Sequence, residues 1–237
     1  MRIKYIEHSG FAVETADYAI MIDCCGLTKD SPYVRTYDGK PLYILSSHVH
    51  ADHFDPAILT FDGGKRTWIL SDDIREKIRG NEPAGFNAVF LAKGDVFQDE
   101  HVMVKAFGST DEGISLYIEA DGKKIFHAGD LNNWHWKEEE TPENAAKSEQ
   151  WFLAELAEFA AEVPELDAAM FPIDPRLGKE YTLGGRQFLD AVNVGLFIPM
   201  HFGKTAHAAA AFKPEAEQRG SRLADIRLPG DTFEVYV

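Results

Sequence analysis

Apolar residues in the first half of the chain come in short runs cut by turn formers. Ile3–Ile6, Phe11–Thr15 and Tyr18–Ile22 are separated by Gly10 and Asp17. Runs of this length, bounded in this way, predict strands. Leu42–Ser46, Thr67–Leu70, Ala88–Leu91, Val102–Phe107, Ile114–Ile118 and Lys124–His127 continue the pattern. The stretches Ile114–Glu119 and Lys123–Phe126, joined through Ala120-Asp121-Gly122, predict a hairpin. Asp55-Pro56 predicts a helix start, because Asp can cap the first amides and Pro suits the first helical position. Asp72-Asp73 predicts a second start, over Ile74–Arg79 and stopped by Gly80.

The period then changes. Phe152, Leu156, Phe159 and Val163 fall on one helical face and predict a helix over Ala145–Ala161. Strand Ala168–Phe171, helix Leu183–Val192, strand Leu196–Pro199, helix Ala206–Gln218 and a strand at Thr232–Val235 follow. No internal repeat is visible. Strands with interspersed helices predict helices packed outside sheets.

Length and charge narrow the classes. A chain of 237 residues is one large domain or two small ones. With 24 Lys+Arg against 39 Asp+Glu, its net charge of −15 argues against nucleic acid and against anionic lipid as partners. Residues 138–167 hold ten of the acids against Lys147 alone, 1 − 10 = −9 of the total. This predicts a solvated helix face that disfavours a polyanionic substrate and leaves a small molecule as the expected partner. The longest uncharged stretch, Ala191–Gly203, falls short of the ~20 residues of a membrane helix. Glu7 and His8 interrupt any signal-peptide core at the N-terminus. Cys24 and Cys25, adjacent, cannot build a disulfide framework and read as small residues after a strand. A soluble, cytoplasmic setting is the expectation.

The sharpest chemistry is Ser46-Ser47-His48-Val49-His50-Ala51-Asp52-His53, directly after an apolar strand and before a helix start. If the chain stays extended, His48 and His50 project to one side. The turn that follows aims Asp52 and His53 elsewhere. This suits two adjacent metals, each taking two ligands from one loop. Imidazole with carboxylate favours zinc, manganese or iron over a thiolate site. Two more strand ends offer partners. His127-Ala128-Gly129-Asp130 places a carboxylate that can bridge two cations, and Pro199-Met200-His201-Phe202-Gly203 places a histidine.

In this HxHxDH motif, His48, His50, Asp52 and His53, the chain resembles the metallo-β-lactamase superfamily of hydrolases. His8-Ser9-Gly10-Phe11, Ile22-Asp23, His127-Ala128-Gly129-Asp130, Met170-Phe171-Pro172 and Pro199-Met200-His201-Phe202-Gly203 are similar to segments of its lactonase-like, metal-dependent hydrolase branch. The resemblance runs from about residue 2 to 204 and implies one domain over 1–237. It implies an α/β (α+β) fold, a four-layer αββα sandwich with the metals at one edge between the sheets. It assigns His48 and His50 to a first metal, Asp52, His53 and His201 to a second, and Asp130 to a bridge. One position departs. The family's third histidine for the first metal, expected after Val102–Phe107, is missing from Gly108-Ser109-Thr110-Asp111-Glu112-Gly113. Asp111 can substitute as an oxygen ligand, although Ser109 sits nearest the expected place.

The expected cofactor is one or two divalent ions, zinc first, with Mn²⁺ or Fe²⁺ as alternatives. The expected reaction is hydrolysis of an ester-like bond (lactone, phosphodiester or amide) by a metal-bound hydroxide that Asp52 orients. Two other classes stay open: a metal-binding or scaffold protein with lost catalysis, and a di-iron oxidoreductase. His8 is a candidate substrate contact, and His127 either supports a ligand from behind or is a packed core residue. Trp134-His135-Trp136 is either a pocket wall or a packed loop. Thr182 reads as the cap of a helix whose amides could hold an anion. Arg176, Lys179 and Lys204 could favour an anionic group, but no pattern places them in a cleft. His101 and His207 read as surface residues.

Overall fold

The apolar runs pair into two seven-stranded sheets. The computed structural model describes residues 1–83 and 86–236. Six strands open the chain: β1 (Arg2–Glu7), β2 (Gly10–Glu14), β3 (Ala19–Ile22), β4 (Leu42–Ser46), β5 (Arg66–Ser71) and β6 (Ala88–Leu91). The second sheet follows as β7 (Val96–Gln98), β8 (Val102–Phe107), β9 (Ser115–Ala120), β10 (Lys123–His127), β11 (Glu165–Pro172), β12 (Asn193–Met200) and β13 (Arg222–Leu223). β14 (Thr232–Glu234) then returns to the first sheet beside β1.

The two sheets repeat one pattern. In the first, β14, β1, β2 and β3 pair antiparallel, and β3 to β6 pair parallel. In the second, β7 to β10 pair antiparallel, and β10 to β13 pair parallel. The repeat lies in the topology and left no trace in the sequence pattern.

Strand alternation sorts the side chains into layers. Ile3, Tyr5, Phe11, Val13, Ile20, Ile22, Tyr43 and Leu45 join the core between the sheets. Their alternates Ala12, Ala19, Met21, Leu42 and Ile44 pack outward with Val34, Ile74 and Ile78 of α1 (Pro32–Arg35) and α2 (Ile74–Ile78). On the other outer face, α3 (Pro142–Glu162) presses Phe152 and Phe159 onto the second sheet. Phe159 meets Phe107, Phe126 and Phe188 at 4.9, 4.3 and 6.2 Å, the last from α4 (Leu183–Ala191). The order is helix, sheet, sheet, helix.

Several expectations are corrected. The helix expected over Ala206–Gln218 is two, α5 (Ala206–Ala211) and α6 (Lys213–Gln218), since Pro214 sits in the first turn of α6 and cannot continue α5. The helix expected after Asp55-Pro56 is a single 3-10 turn, Pro56–Thr60, although Asp55 does accept from the Ala57 amide. Thr182 does not cap α4: its backbone is already helical and its hydroxyl turns to Glu215. Asp73 does not cap α2 either; its carboxylate accepts from the Val49 amide at 3.1 Å and braces the histidine loop. β7, β13 and α1 were too short to read. The acidic helix is tied as well as solvated: Lys93 reaches Glu155 and Glu158 at 2.8 and 2.7 Å, and Lys105 reaches Glu162.

Candidate metal centre

Strand direction decides which loops meet. β1, β3 and β4 run the same way, as do β8, β10, β11 and β12, and the segments leaving them converge on one edge between the sheets. The β1–β2 turn carries His8, the end of β3 carries Asp23, and the end of β4 carries the histidine loop. From the second sheet come Asp111 after β8, Asp130 after β10, Asp174 after β11 and His201 after β12. His8 and His201 both hold positive φ, 52° and 62°. Such angles are strained for a non-glycine residue and point to a packed, functional constraint.

Eight side chains gather in two groups whose ligand atoms lie within 4.8 Å of one another in each group: His8, Asp52, His53 and His201, and His48, His50, Asp111 and Asp130. Asp130 faces both. Its Oδ1 lies 3.1 Å from His53 Nε2 and 3.4 Å from His201 Nε2, and its Oδ2 lies 3.6 Å from His48 Nε2. The donor set suits divalent cations bound by nitrogen and oxygen. One observation supports that fit directly. His8 Nε2, His53 Nε2, His201 Nε2 and Asp130 Oδ1 are all buried without a hydrogen-bond partner. Buried polar atoms are normally paired, and these unpartnered atoms, on members of the two groups, fit bound cations.

Carboxylates behind the histidines set their orientation. Asp23 accepts from the Ser47 amide (2.8 Å), the Ser47 hydroxyl (2.6 Å) and His53 Nδ1 (2.7 Å). With Ser47 Oγ donating to Asp23, His48 Nδ1 donates to Ser47 Oγ at 3.0 Å, so His48 Nε2 carries the lone pair and faces His50 Nδ1 at 3.1 Å. Asp174 does for His201 what Asp23 does for His53, accepting from Nδ1 at 2.9 Å. His127 is fully buried and donates through Nε2 to the Ser9 carbonyl at 2.8 Å, bracing the turn that presents His8.

These surroundings also fix protonation. Burial opposes charge on His53, yet Asp130 and Asp23 override it and lift its pKa to about 10. Burial and the neighbouring His53 push His48 down to about 4, so its approach to Asp130 is no ion pair. The His8 contact at 3.2 Å holds the Asp52 carboxyl well below the usual range, despite partial burial. Burial works against charge on Asp130, but His53 and His201 keep it ionised. Burial also opposes the Asp174 charge, but His201 and Arg176 hold it down to about 2. Burial and Asp130 push the Asp111 carboxyl upward.

A cleft of about 350 Å³ opens over the clusters, lined by His50, Asp52, Thr110, Asp111, Asp130, Trp134, Trp136, Arg176 and His201. Trp134 and Trp136 form its wall, their rings 6.2 Å apart and nearly parallel. His135 is buried behind them, donating to the Glu180 carbonyl and accepting from the Lys137 amide. Ser109, nearest the position of the missing histidine, does not join the clusters; Asp111 does. Asp174 was missed as a site residue, and Arg176, named in the sequence without a place, lines the cleft. The signal available for Asp174 was its place just after an apolar strand, the same place that marked Asp130. His207 is exposed, whereas His101 is half-buried and stacks on Tyr18 at 4.9 Å.

No protein-family model matches the chain. It is 25% identical over 246 residues to the UPF0173 metal-dependent hydrolase of Symbiobacterium thermophilum, covering 98% of this chain and 99% of the relative. Among solved structures, the metallo-β-lactamase fold protein YhfI from Bacillus subtilis superposes with a TM-score of 0.63, covering 98% of this chain and 99% of that one at 12% identity. The chain has the metallo-β-lactamase fold. Igni18, a metallo hydrolase from Ignicoccus hospitalis, shares it, with a TM-score of 0.66, 20% identity and 98% of each chain covered. Over its full length the chain is similar to UPF0173 metal-dependent hydrolases. Among the described residues no helix is long and apolar enough to cross a membrane.

Proposed function

We propose that the chain is a metal-dependent hydrolase of a small molecule with an ester-like bond: lactone, phosphodiester or amide. The carrying observation is the pair of histidine-carboxylate groups that share Asp130, at the floor of a cleft sized for a small ligand. His48, His50 and Asp111 would hold one divalent ion, zinc first and Mn²⁺ or Fe²⁺ as alternatives. Asp52, His53 and His201 would hold a second, with His8 beside them and Asp130 between. When bound, such ions supply Lewis acidity and make water acidic enough to ionise near neutral pH.

The chain's own groups carry the rest. Asp52, ionised and half-exposed to the cleft, accepts a hydrogen bond from the attacking water and orients it. His8 orients that carboxylate through its 3.2 Å contact. The water oxygen bonds the carbonyl carbon or the phosphorus, the C–O, C–N or P–O bond of the substrate breaks, and the proton given up by the water passes to the leaving group. The Trp134–Trp136 wall positions the apolar body of the substrate and narrows the entry of bulk water. A lactone substrate, as in the lactonase-like branch, needs one such proton cycle and releases a single product.

Metal analysis with a hydrolysis panel of lactones, phosphodiesters and acyl amides tests the reading. Bound metal, with turnover that disappears on chelation and returns on reloading, is expected. Metal-loaded protein inert on the whole panel would leave the scaffold alternative standing.

A further inference from the structure

We propose that Arg176 selects the substrate by receiving a carboxylate at one end of the cleft while the ester-like bond lies over the histidine clusters. This rests on the hydrolase reading above and adds the substrate's chemical class to it.

Arg176 leaves the 3-10 turn Pro175–Glu180 and folds back on Asp174. Its Nε lies 3.0 and 2.9 Å from the two Asp174 oxygens, and its Nη2 lies 2.5 Å from Oδ2. Nη2 also lies 3.3 Å from His201 Nδ1. Asp174 is buried and held by His201 as well, so the plane of the guanidinium is set by the group that sets His201. A guanidinium carries five N–H donors. Asp174 engages the Nε–Nη2 edge, and among the described residues Nη1 makes no hydrogen bond. The side chain remains 63% exposed. The result is a locked cation with its remaining donors turned to the opening, which lowers the ordering cost of binding an anion.

Position adds to the argument. Arg176 and His201 line both the cluster cleft and a second hollow of about 460 Å³ that Phe202, Lys204 and Thr205 help to form. Arg176 therefore stands at the junction, one residue from the clusters. Its guanidinium lies 6.0 Å from the Trp136 ring centroid, at the end of the aromatic wall. A substrate lying along that wall over Asp130 would end at Arg176.

Charge decides the class. The carboxylates Asp52, Asp111 and Asp130 line the same cleft, and Arg176 is its one Lys or Arg among the described residues. One partly paired guanidinium suits a monoanion, and it binds a carboxylate by charge-assisted hydrogen bonds. At that end of the cleft a dianionic phosphate would find a single guanidinium already shared with Asp174.

The test uses zinc-loaded full-length protein and two probes, tetrahydrofuran-2-carboxylate and its neutral carboxamide, titrated by calorimetry. Wild type should bind the carboxylate at least tenfold more tightly. Arg176→Met should weaken the carboxylate by about 10- to 100-fold, the range of a hydrogen bond to a charged group, and bring the probes together. Arg176→Gln, which keeps a donor for Asp174, should do the same at unchanged zinc content, separating lost recognition from a disturbed His201. The proposal is overturned if wild type does not bind the carboxylate, if the preference survives in both variants, or if tetrahydrofurfuryl phosphate binds more tightly in an Arg176-dependent way. In turnover, the preference for γ-butyrolactone-γ-carboxylate over γ-butyrolactone should fall in both variants. If neither lactone is hydrolysed yet the binding preference depends on Arg176, the hydrolase reading fails and the carboxylate site stands.

Discussion

The two histidine-carboxylate groups differ in how firmly they are backed. In the group of His8, Asp52, His53 and His201, two histidines lean on buried carboxylates, His53 on Asp23 and His201 on Asp174. In the group of His48, His50, Asp111 and Asp130, His48 is braced only through Ser47, and His50 and Asp111 have side chains 42% and 43% exposed. His50 faces Asp111 at 3.5 Å and Glu112 at 3.6 Å across the cleft mouth. One group has two histidines fixed by buried carboxylates, and the other has one histidine braced through a hydroxyl. The difference teaches that a shared motif does not make two equal sites. Equal ligand counts with unequal support should give unequal affinity, with the less braced group filling last and emptying first.

Replacing Asp130 should have the largest effect, because it faces both groups. Asp130→Ala is expected to lower activity by about 10³-fold or more, on the scale of lost electrostatic stabilisation, and to reduce bound metal below two equivalents by elemental analysis. Two tightly held equivalents in that variant would break the picture of a shared carboxylate. Next comes His50→Ala. It should remove the weaker equivalent and most activity while the better-braced equivalent stays; loss of both would mean the groups fill only together. Asp23→Asn should lower affinity at the better-braced group by about 10- to 100-fold, visible as an earlier endpoint in a chelator titration. An equal change at both groups would erase the distinction drawn above. The smallest effect is expected far away, at Lys93→Ala. Loss of its surface pairs with Glu155 and Glu158 should cost at most about 1 kcal/mol, a shift of a few degrees in Tm, with metal content unchanged.

Much of this was legible in the chain. The strand runs and the helical face of Phe152, Leu156 and Phe159 were readable because alternation and helical period are local properties. Ser47 to His53 stood out because its residues are neighbours in sequence. Asp130 and His201 stood out because each ends an apolar run. Asp174 was hidden, since Asp-Pro-Arg reads as an ordinary turn and its partner His201 is 27 positions away. Arg176 was visible but could not be placed, because its use depends on where β11 ends relative to β12. The likeness of the two sheets was invisible for a related reason: pairing direction is a relation between strands, and nothing within one strand encodes it. The gap where the resemblance expects a histidine was noticed, and the fold brings Asp111 beside His48, His50 and Asp130.

The donors of each group come from both sheets, His8 and the β4 loop from one and Asp111, Asp130 and His201 from the other. Ions held there would act as rivets across the seam between the two halves. The sheets could not separate without releasing them, so folding and loading become one coupled equilibrium. At a free ion concentration of a hundred times the dissociation constant, each such rivet is worth about 2.7 kcal/mol. The resistance of this molecule to heat would then be set by the metal supply around it as much as by its own core.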